Sequence, residues 1–308
     1  MTTPDTTTRP LRMLFWESTA TCNLTCKHCR RLDDAATDEL STDEFRGVLD
    51  SAATLGKPVV VFSGGEPLMR PDWRELGAYA TSLGLSAALA TNGTLITADV
   101  ARDIASAGFR RVSVSLDGSD PATHDSFRGV SGALEATHAG IAHLRLAGVP
   151  FQINASIAAH NVDQLDGIYA VARRLGAVAL HLFLLVPVGC GVNIEETHQL
   201  SSAQYEEVLG WVCDHLDGPM ELRATCAPHL ARVAEARGVD LGHHRGCLAG
   251  MSVVFVSHRG EVFPCGYLPE HCGSVRESSL AEIWRTSDQL AAIAGRENLT
   301  GACAACRV

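Results

Sequence analysis

"MLFWESTATCNLTCKHCRRL", residues 13–32, decides the fold. A strand-like run at 13–17 leads into a loop with three cysteines, Cys22, Cys26 and Cys29, spaced C-x3-C-x2-C. Thiolates this close on one loop can wrap a compact metal centre, but a closed structural site wants four protein ligands. His28 is the local candidate for a fourth, yet its place between Cys26 and Cys29 turns its ring away from a metal that both hold. Three thiolates around a [4Fe–4S] cube leave one iron open, and an open position is what reactivity requires. Zinc is the alternative reading.

Outward from this stretch, short apolar runs alternate with amphipathic helical segments. Strands are expected at 13–17, 58–63, 86–91, 111–117, 151–157 and 179–186, nearly continuously apolar, as for strands buried on both faces. Ser41 and Glu44 form a capping box before the first clear helix, and further helices are expected near 72–83, 97–107, 134–146 and 162–175. Glycines 56, 84, 108, 148 and 176 stop several of them. Six βα units predict a parallel sheet, and six fall short of a closed eight-fold barrel. The expected fold class is therefore α/β, a partial (β/α)6 TIM barrel with a small C-terminal α+β iron–sulfur domain. Chemistry then belongs on the loops at the C-terminal ends of the strands, and the cysteine loop is one of these.

After a helix near 202–215 the βα rhythm is lost, and from Cys247 a hairpin with its turn at 258–260 and a short helix near 280–285 are expected. The division reads 1–10 as a disordered tail, 11–235 as the barrel and 236–308 as the second unit. Cys247 and Cys265 flank the hairpin as C-x12-G-x4-C, and Cys303-x2-Cys306 stands at the end, so four thiolates can close a second site there. A zinc ribbon is the bland alternative for that site.

The chain has 308 residues, 46% hydrophobic, with a net charge of −10 that argues against nucleic acid as the main partner. No run of about 18 apolar residues suggests a membrane span, and the polar N-terminus "MTTPDTTTRP" lacks a signal-peptide pattern, so a cytoplasmic protein is expected. Eleven cysteines in a reducing compartment favour metal binding or catalysis over disulfides. The scattered Cys190, Cys213, Cys226 and Cys272 default to buried, inert thiols.

The array, with "FSGGEPL" after the second strand, "ATNGTL" after the third, "VSLDG" closing the fourth and "THDSFRG" beyond it, resembles the radical S-adenosylmethionine (SAM) superfamily. The C-terminal cysteines resemble the twitch or SPASM auxiliary-cluster domain, and "FPCGYLPEHCGSVRESSLAEIW" looks most like the enzymes of the alternative haem and haem d1 pathways. The resemblance implies two [4Fe–4S] clusters and SAM, with Cys22, Cys26 and Cys29 on the SAM-binding cluster and Cys247, Cys265, Cys303 and Cys306 on the auxiliary one. Longer SPASM domains continue past C-x2-C with ligands for a third cluster; the chain stops two residues after Cys306, so either one auxiliary cluster is present or the chain is truncated.

It implies reductive SAM cleavage, hydrogen-atom abstraction from a small-molecule substrate and a flavodoxin- or ferredoxin-type electron donor, with neither nucleic acid nor membrane as partner. Gly64, Gly65, Glu66, Pro67, Asn92, Ser115, Arg128 and His28 are its candidate SAM contacts. Glu66 either accepts from the SAM ammonium or shapes the turn, and Arg128 either pairs with the SAM carboxylate or is a surface arginine. Cys272 is a candidate hydrogen donor; Asn154, His181 and Asn193 are candidate substrate contacts. The leading reaction is oxidative decarboxylation of a haem-precursor-like carboxylate. Epimerisation or dehydrogenation of a sugar or aminoglycoside, maturation of a ribosomal peptide, and a non-catalytic iron–sulfur electron carrier are the alternatives.

Overall fold

Seven parallel strands run in sequence order: β1 (Met13–Glu17), β2 (Val59–Ser63), β3 (Ser86–Thr91), β4 (Arg111–Ser115), β5 (Phe151–Ile157), β6 (Ala179–Leu184) and β7 (Glu221–Thr225). This computed structural model describes residues 9–31, 37–242, 246–295, 300, 301 and 305. The expected N-terminal tail lies largely outside the described residues, as do Cys303 and Cys306. The connecting helices are α1 (Thr42–Ala53), α2 (Trp73–Ser82), α3 (Ala98–Ser106), α4 (Pro121–Arg128), α5 (Ala133–Leu146), α6 (Leu165–Leu175), the single turn α7 (Glu195–His198), α8 (Ser202–His215) and α9 (Leu230–Arg237). Helices packed on the outside of a parallel sheet are the α/β arrangement the repeat predicts. The capping box at Ser41 is formed, with its hydroxyl accepting from the Glu44 N–H.

The seventh strand is absent from the sequence reading. Its segment, "ELRAT", carries two charged residues on an exposed face at the sheet edge, so it lacks the apolar run that marks the inner strands. The βα rhythm therefore persists through α9, and the expected division at 235/236 falls inside that helix. The hairpin is present as β8 (Val253–Val256) and β9 (Glu261–Phe263), followed by β10 (Gly273–Ser274), α10 (Leu280–Thr286) and α11 (Asp288–Ala294). It is not a separate sheet: β8 lies parallel to β1, with Met13 opposite Val253, and extends the barrel to ten strands in the order β10-β9-β8-β1-β2-β3-β4-β5-β6-β7.

Not all the strands are buried on both faces as expected; β2 has Val60, Val61 and Phe62 buried in succession, but others alternate. In β3 and β4 exposure alternates, so Ala87, Leu89, Val112 and Val114 pack under the helices while Ala88, Ala90, Ser113 and Ser115 stay half-exposed. An incomplete barrel explains this, because its inner face is open rather than filled by side chains from a closing set of strands. Small residues on neighbouring strands widen that space; Ala90 lies beside Ser113 and Ser115 beside Asn154. The packed core sits on the helix side, where Trp16 stacks on Phe45 and meets Phe62 edge-on.

Candidate active site

The cysteine loop leaves the C-terminal end of β1, and neighbouring elements brace it at every step. At its start the Glu39 carboxylate accepts from the Thr19 hydroxyl at 2.7 Å and the Ala20 N–H at 2.9 Å. The buried Arg70 donates to the Ser18 carbonyl at 3.0 Å and pairs with Asp72 at 2.6 Å. The β2 loop is bonded to it main chain to main chain: Gly65 N–H donates to the Thr19 carbonyl at 2.7 Å and Glu66 N–H to that of Thr21 at 2.8 Å. This contact is what requires glycine. A Cβ on Gly64 would lie 2.5 Å from the Thr19 carbonyl oxygen and one on Gly65 2.2 Å from that of Thr21. The crowding comes from the chain's own loop. Further along, Lys27 N–H donates to the Phe127 carbonyl at 3.0 Å and Cys190 N–H to the Cys29 carbonyl at 2.8 Å, tying the loop to α4 and to the segment after β6.

Glu66 is fully buried and turned inward. Its carboxylate accepts from the Thr91 hydroxyl at 2.7 Å, Asn92 N–H at 2.8 Å and Leu68 N–H at 3.2 Å. It thus clips the β2 and β3 loops together. Burial pushes its pKa to about 7 against these hydrogen bonds. Pro67 opens the short turn that follows and is buried. Asn92 is bound by the chain as well, donating to the Asn23 side chain at 2.9 Å and accepting from Thr94 N–H at 2.9 Å. Ser115 ends β4, half-exposed on the open inner face.

Arg128 is a buried residue, not a surface arginine. Its guanidinium pairs with Asp117 at 2.7 Å, and its Nη1 lies 3.7 Å from the Cys26 sulfur. Burial alone would lower its pKa, but the Asp117 carboxylate and the Cys26 thiol outweigh that and raise it. Asp117, fully buried, is correspondingly held below its ordinary value by Arg128 despite burial, which acts the other way. His28 lies face to face on Phe127, with centroids 3.9 Å apart and planes within 9°. Its Nε2 sits 3.7 Å from Asp117, but burial holds its pKa near 3, so the contact is polar rather than ionic. His160 packs on Phe127 at 4.0 Å, and burial lowers its pKa to about 4. Asp117 and His160 escaped the sequence reading. The "VSLDG" motif contains Asp117 and was the signal for it; nothing local marks His160, which packs on Phe127.

The second cysteine group is assembled from distant segments. The thiols of Cys247 and Cys265 both act on the thiol of Cys226, which follows directly on β7. Desolvation of its sulfur first and then these two neighbours push the Cys226 pKa up to about 12. The residue as a whole is exposed, unlike the buried thiol expected. Burial drives the Tyr267 pKa to about 12, with smaller contributions from Cys226, Arg30, Cys265 and Cys29. Arg30 itself stacks over Phe255 at 4.5 Å.

Cys213 is buried in α8. Cys272 is buried too, donates to the Glu270 carbonyl at 3.3 Å and lines a cavity with Gly273, Ser274, Glu282 and Ile283. Asn154 and His181 both bond Gln152, at 2.8 and 3.1 Å, and Asn193 is exposed.

Grouped thiolates are the donor set that iron–sulfur clusters take. Among the described residues no three His, Cys, Asp or Glu side chains form a single-ion site. Burial raises the Cys22 and Cys26 pKa values, so binding of iron would supply the driving force to release their protons.

The profile of the Radical SAM superfamily matches residues 16–198, and that of the SPASM iron–sulfur cluster-binding domain matches residues 247–307. The chain is 43% identical to the AdoMet-dependent heme synthase of Methanosarcina barkeri, over 96% of this chain and 88% of that protein. It is 42% identical to the AdoMet-dependent heme synthase of Nitratidesulfovibrio vulgaris, over 96% and 84%. In three dimensions it resembles SuiB of Streptococcus suis, solved bound to S-adenosylmethionine, with a TM-score of 0.78 at 17% identity over 97% of this chain and 71% of that one. At that identity the likeness concerns the fold.

Proposed function

Because the chain belongs to the radical SAM superfamily, we propose that its substrate is an iron porphyrin of the haem-precursor type and its reaction an oxidative decarboxylation. The observation that carries this is the 43% identity to a heme synthase along 96% of the chain. The open inner face supports it, since Ala88, Ala90, Ser113 and Ser115 leave room for a broad, flat molecule. The enzyme uses SAM and two [4Fe–4S] clusters, which when bound supply a one-electron cleavage of SAM to a 5′-deoxyadenosyl radical and an acceptor for the electron lost by the substrate.

The chain's own residues position and exclude. Cys22, Cys26 and Cys29 hold the SAM-binding cluster, on a loop that Glu39, Arg70 and the β2 loop keep rigid. A rigid loop fixes the direction in which a radical is released, and orientation is a large part of the rate of such a step. The face of His28 stacked on Phe127 offers the flat apolar surface an adenine requires. Arg128, held by Asp117, points an N–H donor at Cys26, and would offer it to the sulfur of a cluster that Cys26 holds. Cys247, Cys265, Cys303 and Cys306 would hold the auxiliary cluster. We place the enzyme in the cytoplasm, with a small flavoprotein or ferredoxin as electron donor.

The test is an anaerobic assay of the reconstituted enzyme with SAM, a one-electron reductant and Fe-coproporphyrin III. Carbon dioxide and 5′-deoxyadenosine should form in step with each other. If 5′-deoxyadenosine forms while the porphyrin keeps all its carboxylates, the substrate assignment fails and the radical SAM activity stands.

A further inference from the structure

We propose that the Nε2–H of His181 and the guanidinium of Arg223 together receive a carboxylate of the substrate on the inner face of the barrel. The inference rests on the porphyrin reading and deepens it, because it names the part of the molecule that the inner face recognises and the side chains that recognise it.

Four neighbouring strands set hydrogen-bonding side chains in one row. Ser115 on β4 stands opposite Asn154 on β5, Asn154 opposite His181 on β6, and His181 opposite Arg223 on β7. With strands about 4.8 Å apart, the row runs about 14 Å from Ser115 to Arg223. Alternation along the strands keeps these residues on the inner face, since Leu180, Leu182 and Leu222 between them belong to the helix-side core. The opposite wall is apolar. Phe15 on β1 stands opposite both Val61 on β2 and Phe255 on β8, and none of the three belongs to that core. A flat apolar molecule with carboxylates at its rim matches both walls.

A chain of hydrogen bonds fixes which nitrogen of His181 carries the hydrogen. Arg111 can only donate, and its Nη1 donates to Gln152 Oε1 at 3.3 Å. The Gln152 amide nitrogen is thereby turned to Asn154 Oδ1, at 2.8 Å, and to His181 Nδ1, at 3.1 Å. Nδ1 is the acceptor, so in the neutral ring Nε2 holds the hydrogen. Burial keeps the ring neutral, with its pKa lowered to about 4. Nε2 is itself buried and finds no partner among the described residues. A buried donor without an acceptor is costly and calls for an explanation. The partner it lacks must accept, and a protonated Nε2 cannot bind an iron, so the acceptor is an oxygen at the rim of a porphyrin and not its metal. The charge beside it suits an anion. Arg223 Nε donates to Glu221 at 2.6 Å and Arg111 Nη1 lies 3.7 Å from the same carboxylate, so two guanidiniums share one carboxylate and one positive charge is left over. The Arg223 side chain is 66% exposed, long enough and free enough to turn with an incoming carboxylate.

The experiment uses the full chain, reconstituted anaerobically and supplied with SAM, and follows porphyrin absorbance as Fe-coproporphyrin III or its tetramethyl ester is titrated in. The ester keeps the macrocycle and removes every carboxylate charge, so the ratio of the two affinities separates carboxylate recognition from packing. His181→Phe keeps a flat ring without a donor, and Arg223→Met keeps length without charge. Each should lower the acid-to-ester ratio about tenfold or more, the effect of losing one hydrogen bond to a charged group. His181→Gln, which keeps an N–H donor, should recover part of the loss. In the decarboxylation assay the KM for the porphyrin should rise as its affinity falls. Arg223 is exposed on an edge strand, so its variant reads the site even where His181→Phe does not fold. A ratio within about twofold of the unmodified enzyme's, in Arg223→Met or in folded His181→Phe, would overturn the proposal. Loss of a histidine–iron signature from the bound porphyrin in His181→Phe would overturn it too, by placing Nε2 on the metal. An unmodified enzyme that binds neither porphyrin overturns the porphyrin reading and this proposal with it, whereas saturable binding with an unaltered ratio in the variants overturns this proposal alone.

Discussion

The two cysteine groups are built in opposite ways. Cys22, Cys26 and Cys29 lie on one short loop, held by backbone bonds to the β2 loop, by Glu39 and Arg70, and by the buried Asp117–Arg128 pair. Cys226, Cys247 and Cys265 lie on three segments drawn from both ends of the sheet. The first group can be braced before any cofactor arrives; the second depends on the barrel having curled. A reactive centre that must aim a radical gains from the first construction. An electron acceptor tolerates the second, because electron transfer asks for proximity and potential rather than for one orientation.

The largest effect should come from separating the groups by mutation. Cys26→Ala should abolish 5′-deoxyadenosine formation and lower iron from about eight to about four per chain. Cys265→Ala should lower iron as far but leave SAM cleavage measurable. If Cys265→Ala also abolishes cleavage, the division of labour between the groups is broken. Next in size, Asp117→Ala should cost about 3–5 kcal/mol in denaturant unfolding, because it leaves the buried Arg128 charge unpaired. Restoring much of that loss with Asp117→Ala/Arg128→Met would sharpen the point; a single-variant cost below about 1 kcal/mol would show that the pair does not brace the first group.

Smaller still is an acid sensitivity of the same region. His124 is buried beneath Asp117, where its Nδ1 accepts the Asp117 N–H at 3.1 Å, and burial lowers its pKa from 6.5 to about 4. In that window the unfolded chain binds a proton that the folded chain does not. Its contribution is therefore complete above pH 6.5 and declines as pH falls towards 4, by on the order of 3 kcal/mol. His124→Asn should flatten the slope of stability against pH between those limits; an unchanged slope would assign it to other groups.

Much of the first group was legible because its information is local. A C-x3-C-x2-C array after a strand, with a glycine pair after the next, names its own residues. The reason for the glycines was not legible, since Gly65 is forced by a carbonyl some forty residues away in sequence, that of Thr21. Arg128 read equally well as a surface residue, because nothing in "THDSFRG" announces the buried Asp117 beside it. β7 was missed because an edge strand with exposed Glu221 and Arg223 carries no continuous apolar run. With it went the position of Cys226, which the chain places only after that strand is formed.

By itself, then, the sequence determined the α/β class, the inner strands and the loop that carries Cys22, Cys26 and Cys29, since hydrophobic periodicity and short-range spacing act within a few residues of each other. Only the tertiary structure decided that β8 joins the barrel sheet beside β1, that Glu66 clips two loops together, and that Arg128 pairs with the buried Asp117. Those contacts link separate segments of the chain, and their partners become neighbours only when the sheet has curled and its helices have packed against one face.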